Sequence, residues 1–204
     1  MTFNGFKQSD FDVFTIEGLD ERMTAIQEKI QPKFQQIGNQ LVDDVSAIVG
    51  SEMYLHIAKH ARRTVNPPND TWLAIAGNKR GYKKHPHFQV GLWDDRLFIW
   101  LAFIYELPDK SKIARNFIDN AAMFEELPKD FHISLNHMKK DAESLENIDL
   151  EKALGRFRDV KKAEFLIGKQ LSPTDSVVHN GGELIDFIKQ VYQQLIPFYR
   201  LAYA

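Results

Sequence analysis

The chain has no cysteine among its 204 residues. That absence excludes disulfides, thiolate nucleophiles and cysteine-ligated zinc, and it fits a reducing compartment. Long hydrophobic runs are absent too. The longest purely apolar stretch, LFIWLAFIY (Leu97 to Tyr105), falls far short of the roughly 20 residues that a membrane-spanning helix needs. The opening MTFNGFKQSDFDVF interrupts its phenylalanines with Lys7, Asp10 and Asp12, leaving no apolar signal-peptide core. The expectation is a cytoplasmic protein with no membrane partner. Net charge is small, −2 overall, so nothing global announces a nucleic-acid or membrane partner.

What is present is ordinary for a folded domain. Hydrophobic residues make up 44% and charged residues 26%, with 15 Phe, 6 Tyr and 3 Trp for a bulky core. The length suits one domain spanning residues 1–204.

Apolar residues recur at helical spacing from Leu19 through Met23, Ile26, Ile30, Phe34, Ile37, Leu41 and Val45 to Ile48. Pro32 and Gly38 lie inside this stripe, which predicts a kink or two successive helices, ended by Gly50. The rhythm then changes to alternation. EMYLHIA, TWLAIAG and HFQVGLW read as strands, and RLFIWLAFIYE, apolar on both faces, reads as a central strand covered on both sides. Asp94 and Asp95 make a hairpin turn. Pro108 and Asp109 open a helix carrying Ile113, Phe117, Ala121 and Phe124. FHISL and EFLIGKQL are further strands, with a short helix from about Asp149 to Phe157 between them. A last helix begins near Gly182, after the loop HNGGE, and is expected to stop before Pro197. Strands clustered mid-chain and joined by short turns predict a single α+β domain. Its mainly antiparallel central sheet of five to six strands packs against N-terminal, middle and C-terminal helices.

The charge distribution carries the functional signal. Residues 59–87 contain Lys59, Arg62, Arg63, Lys79, Arg80, Lys83 and Lys84 against one acid, Asp70, a formal charge of +6 that leaves −8 for the rest. Such a patch on an acidic body focuses anions, and arginine grips phosphate or carboxylate bidentately. Pro67-Pro68 stiffens the segment after Arg62 and Arg63. Gly81 is expected to give the NKRGYK loop a positive φ, while Trp72, Tyr82 and Phe88 offer aromatic faces for stacking. If the first two strands pair antiparallel, Arg62/Arg63 and Lys79/Arg80 fall at opposite ends of them, making two patches unless the 59–70 loop folds back. The candidate ligand-binding residues are Arg62, Arg63, Lys79, Arg80, Lys83, His60, Tyr82 and His87. The alternative is a solvated basic surface with Trp72 in the core.

Other chemistry is thinly marked. HIAKH spaces His56 and His60 as a metal pair would, and His87 could join them, but the general-base glutamate of HExxH is missing. No metal or cofactor is expected. His137, beside Asn136 and Asp141, is a candidate acid or base. GxSxG, Walker and GxGxxG signatures are absent from the sequence.

FKQSDFDVFTIEGLDERM, HIAKHARRTVNPPNDTW, NKRGYKKHPHFQVGL and LNHMK together make the chain resemble the YktB-like family of uncharacterised bacterial proteins. The resemblance implies a compact α+β domain and supplies no reaction, cofactor or catalytic residue. Three functional readings follow. The first is a binding domain for an anionic small molecule or nucleic acid. The second is a protein-interaction module. The third is an enzyme acting on a phosphorylated substrate, with His60 or His87 as acid/base.

Overall fold

The computed structural model describes residues 3–204. Seven strands form one sheet: β1 (Tyr54–Ile57), β2 (Thr71–Ala76), β3 (His87–Leu92), β4 (Leu97–Phe103), β5 (His132–Ser134), β6 (Glu143–Ser144) and β7 (Phe165–Leu171). They lie in the order β1-β2-β3-β4-β7-β5-β6, every neighbouring pair antiparallel. The sheet is larger than expected because Glu143–Ser144, too short and polar to show alternation, adds an edge strand beside β5. The architecture is α+β.

Among the described residues seven α-helices accompany it: α1 (Gln8–Phe11), α2 (Leu19–Ala25), α3 (Gln31–Val49), α4 (Lys110–Asp119), α5 (Leu150–Asp159), α6 (Ser176–His179) and α7 (Gly181–Leu201). Between α2 and α3 the long apolar stripe passes through a π turn, Ile26–Ile30, which brings Pro32 to the first turn of α3. There its missing N–H costs nothing, and the widened turn absorbs the ring. Gly50 ends α3 at φ 82°, the left-handed cap that glycine adopts without strain. Asn180 caps α7 by accepting from the Glu183 N–H, so HNGGE is a helix start, as expected.

Pro197 does not end the last helix: α7 continues through it to Leu201. The final turn buries Phe198 and Tyr199, which pack on Phe124 and Phe88 respectively. That burial outweighs a proline cost of roughly 3 kcal/mol. The helix expected to carry Ala121 and Phe124 stops at Asp119, and those residues continue as a 3-10 segment, Ala121–Glu126.

The two faces of the sheet differ. Leu73, Ile75, Phe88, Val90, Ile99, Leu101 and Ile167 face the helices in one large core. On the opposite face Phe98, Trp100, Ala102, Leu166 and Trp93 form a smaller apolar cluster with Trp72 against it. Glycine makes that face possible. Gly91 pairs across from Phe98 and Gly168 from Trp100. A Cβ at Gly91 would sit 2.1 Å from the Phe98 ring, and one at Gly168 1.9 Å from the Ile99 carbonyl oxygen. Two strand glycines thus let large aromatic side chains lie across their neighbours. Loops rather than helices border this face, and the candidate residues are in loops except His87, which begins β3.

Candidate functional site

A groove of about 760 Å³ lies between β1 and the Asn78–His85 loop. Lys59, Lys79, Arg80, Lys83 and Lys84 line it, with Tyr82 and a single acid, Glu106. Lys79 and Arg80 are exposed, while Lys83 is half-buried with its Nζ 3.5 Å from Glu106. Local chemistry shapes the loop. The Asn78 side-chain oxygen accepts from the Arg80 N–H at 2.8 Å, closing an Asx-type turn. His56 on β1 bonds the Asn78 carbonyl oxygen at 2.9 Å, fastening the loop to the strand. Gly81 is not in the positive-φ region that the sequence suggests; the side-chain turn at Asn78 supplies the bend instead.

Antiparallel pairing, Tyr54 with Ala76 and Ile57 with Leu73, separates the basic residues. Arg62 and Arg63 do not line the groove. Arg62 is exposed, and Arg63 donates to the carbonyl oxygens of Asn66 and Pro67 in its own loop. That loop is fixed from below by Arg22, buried, which donates to Ile16, Pro68 and Asn69. Of the candidate residues, Lys79, Arg80, Lys83 and Tyr82 share one groove, and Arg62 and Arg63 form a second, smaller patch.

His60 and His87 stand outside the groove lining as well. His60, at φ 49°, bonds Thr71 Oγ1 through Nε2 at 3.1 Å and meets the Trp72 ring edge-on. Burial, assisted by Arg63, lowers its pKa to about 4. His87 is fully buried. Its Nδ1–H donates to the His85 carbonyl oxygen, and its Nε2 accepts from the Gln89 amide. Both nitrogens are satisfied in the neutral ring, and burial lowers its pKa to about 4 as well. Both rings are therefore neutral near pH 7.

Tyr82 joins the groove to the loop-bordered face. Its hydroxyl accepts from Trp72 Nε1 at 3.1 Å, and its ring lies 4.9 Å from that of His87 and 5.5 Å from that of His56. Beyond Trp72 is His137, whose orienting partner is neither Asn136 nor Asp141 but Glu164. Sequence reading passes over Glu164 because it lies 27 positions away, at the edge of an apolar strand. It also passes over Asp70. Its signal was being the lone acid in a basic window, and in the fold it is buried beside His137 with its carboxyl raised to about 7 by desolvation.

An α+β domain with a loop-built cationic groove on one sheet edge is the class that the fold and the site define. A family model described as "Domain of unknown function (DUF1054)" matches residues 6–199. Curated relatives run the full length. A UPF0637 protein of Oceanobacillus iheyensis is 64% identical over 200 residues, covering 98% of this chain and 97% of that one. One of Shouchella clausii is 58% identical over 203 residues, covering 99% and 96%. One of Listeria monocytogenes is 50% identical over 202 residues, covering 99% of each. The chain belongs to this family of uncharacterised bacterial proteins, in agreement with the resemblance read from its sequence. Among the described residues no helix is long and apolar enough to cross a membrane.

Proposed function

We propose that this protein binds a phosphate-bearing anion, a phosphorylated small molecule or a nucleic-acid strand, in the groove between β1 and the Asn78–His85 loop. The observation that carries the reading is the lining: five basic side chains against Glu106 alone, in a space of about 760 Å³. Only Lys83 among them has a carboxylate within ion-pair distance, so the charge is available to a ligand. Tyr82 adds an aromatic face on which a base or ring can stack. Loop closure by Asn78 and His56 holds Lys79 and Arg80 in place before binding, which lowers the ordering cost. Arg62 and Arg63, outside the groove, steer anions toward it without gripping them.

The test is a thermal-shift panel of pyrophosphate, nucleoside triphosphates and short single-stranded DNA and RNA. It is run on the wild type, Lys79→Ala/Arg80→Ala and Arg62→Ala/Arg63→Ala. A ligand at about 100 times its Kd stabilises by about 2.7 kcal/mol, a rise of about 5–10 °C for a domain of this size. The shift should vanish in the Lys79/Arg80 variant and persist in the Arg62/Arg63 variant. A response to mononucleotides alone identifies a small-molecule site, whereas a response only to oligonucleotides identifies a strand-binding one. A flat panel rejects the reading.

A further inference from the structure

Behind Trp72, on the same face of the sheet, lies a smaller cavity that the anion groove does not include. Asp70, Trp72, Gln89, Trp93, Trp100 and His137 are among its walls. The chain has three tryptophans and all of them are here. The space is about 10 Å³, room for one water-sized group and no more.

Asp70 is 2% exposed, and its Oδ2 has no hydrogen-bond partner. A carboxyl oxygen buried without a partner is costly, and here it is held against tryptophan rings. Ser134, Lys139 and Gln170 complete its polar lining, and acceptors stand among these groups. Gln89 gives one amide N–H to His87, and its carbonyl oxygen is an acceptor it can offer. His137 gives its Nδ1–H to Glu164, so in the neutral ring Nε2 carries a lone pair. Oxygen and nitrogen acceptors among π faces favour a cation that brings its own N–H donors.

Size decides which cation. Aromatic walls also suit quaternary ammonium groups, but a trimethylammonium head is several times larger than this space. An –NH₃⁺ group is the size of a water molecule. The adjoining outer cavity, about 450 Å³, shares Trp93 and Lys139 with the inner one and adds Met138 and Asp141. An aliphatic stem leaving the inner cavity between Trp93 and Lys139 would enter it. The protein's own Lys140 Nζ already lies 5.9 Å from the centre of the Trp93 ring.

We propose that this cavity is a binding site for the primary ammonium group of a small alkylamine, which donates to Asp70, Gln89 and His137 between the tryptophans. The site is independent of the anion groove and does not rest on it.

The charged groups around Asp70 set the pH dependence. His137 and Arg63 act on it directly, Lys139 lies at the rim, Glu164 stands behind His137, and Arg22 reaches the loop through Asn69. An alkylammonium keeps its charge between pH 6 and 8, and Glu164, its carboxyl lowered, stays ionised. Asp70, raised to about 7 by burial, ionises across this interval. Affinity therefore rises with pH.

Because every tryptophan lines the cavity, intrinsic fluorescence reports its occupancy. The wild type and Asp70→Asn are titrated with n-butylammonium, a blocked lysine and tetramethylammonium chlorides at matched ionic strength, at pH 6 and 8. The expected result is a saturable change with n-butylammonium, roughly tenfold tighter at pH 8. It should be absent in Asp70→Asn, and tetramethylammonium should have no effect. An added response to blocked lysine extends the ligand class to a protein side chain; silence there restricts it to free amines. In parallel, n-butylammonium should raise the wild-type melting temperature at pH 8 more than at pH 6, a reading that needs no variant. No saturable response to n-butylammonium, an equal response in folded Asp70→Asn, or an equal response to tetramethylammonium overturns the proposal. A lone buried water would then be the occupant.

Discussion

Glu164 holds His137 twice, accepting the ring Nδ1–H at 2.7 Å and the backbone N–H at 2.8 Å through the same oxygen, Oε2. Its other oxygen accepts the Tyr105 N–H at 3.3 Å. A carboxylate that is 3% exposed thus fixes the chain where β7 and the loop after β5 meet, and it sets the imidazole on the wall of the tryptophan cavity.

Glu164→Gln replaces an acceptor with donors facing two N–H groups. The expected cost is about 1–3 kcal/mol at neutral pH, measured by urea unfolding. Burial alone would raise the Glu164 carboxyl, but the hydrogen bonds and charge of His137 bring it below its ordinary value. A lowered carboxyl pKa stabilises the fold above the unfolded value and loses that contribution as pH falls. The gap between wild type and variant should therefore narrow below about pH 4.

Asp70 has the opposite sign. Its folded carboxyl, raised to about 7, holds a proton that the unfolded chain releases near pH 4. Its contribution therefore falls as pH rises between those values. Asp70→Asn is expected to gain on the wild type steadily from about pH 4 to 7, by as much as about 4 kcal/mol at the upper end. Melting temperatures across that range check this; parallel curves would refute it.

His60 and His87, both lowered to about 4 by burial, oppose that slope. The unfolded chain takes up protons below about pH 6.5 where these buried rings do not. Stability from this pair is present above pH 6.5 and lost toward pH 4. In Asp70→Asn, freed of the opposing term, stability should therefore rise more steeply with pH from about 4.5 to 6.5 than in the wild type.

Gly168→Ala tests the two-faced sheet. Its Cβ would lie 1.9 Å from the Ile99 carbonyl oxygen and 3.0 Å from Trp100. Backbone on the adjacent strand cannot yield as a flexible side chain can, so a loss of at least about 2 kcal/mol is expected. It should be read by denaturant midpoint together with a change in tryptophan emission.

Periodicity made most of this fold legible. The stripe from Leu19 to Ile48 maps onto α2, the π turn and α3, and the two-sided apolarity of LFIWLAF onto the fully buried β4. EMYLHIA holds β1, whose four residues are all half-buried and do not alternate. Pro197 misled because core burial of Phe198 and Tyr199 overrides the local cost of proline. Glu143–Ser144 was invisible because two residues have no period. Of the candidate site, the basic loop Lys79–Lys84 was legible from charge alone. Its separation from Arg62 and Arg63 followed only once β1 was paired with β2. The tryptophan cavity was not legible: Trp72, Trp93 and Trp100 meet across three strands and a turn, and no local pattern encodes that convergence.

The central claim is that anions bind between β1 and the Asn78–His85 loop. Its most direct test is an amide chemical-shift titration of ¹⁵N-labelled protein with pyrophosphate and, separately, with a short single-stranded DNA. The account predicts that the largest shifts fall on His56–Lys59 and Asn78–His85 and are lost in Lys79→Ala/Arg80→Ala. Shifts centred on Arg62 and Arg63, or no saturable shift with either probe, would contradict it.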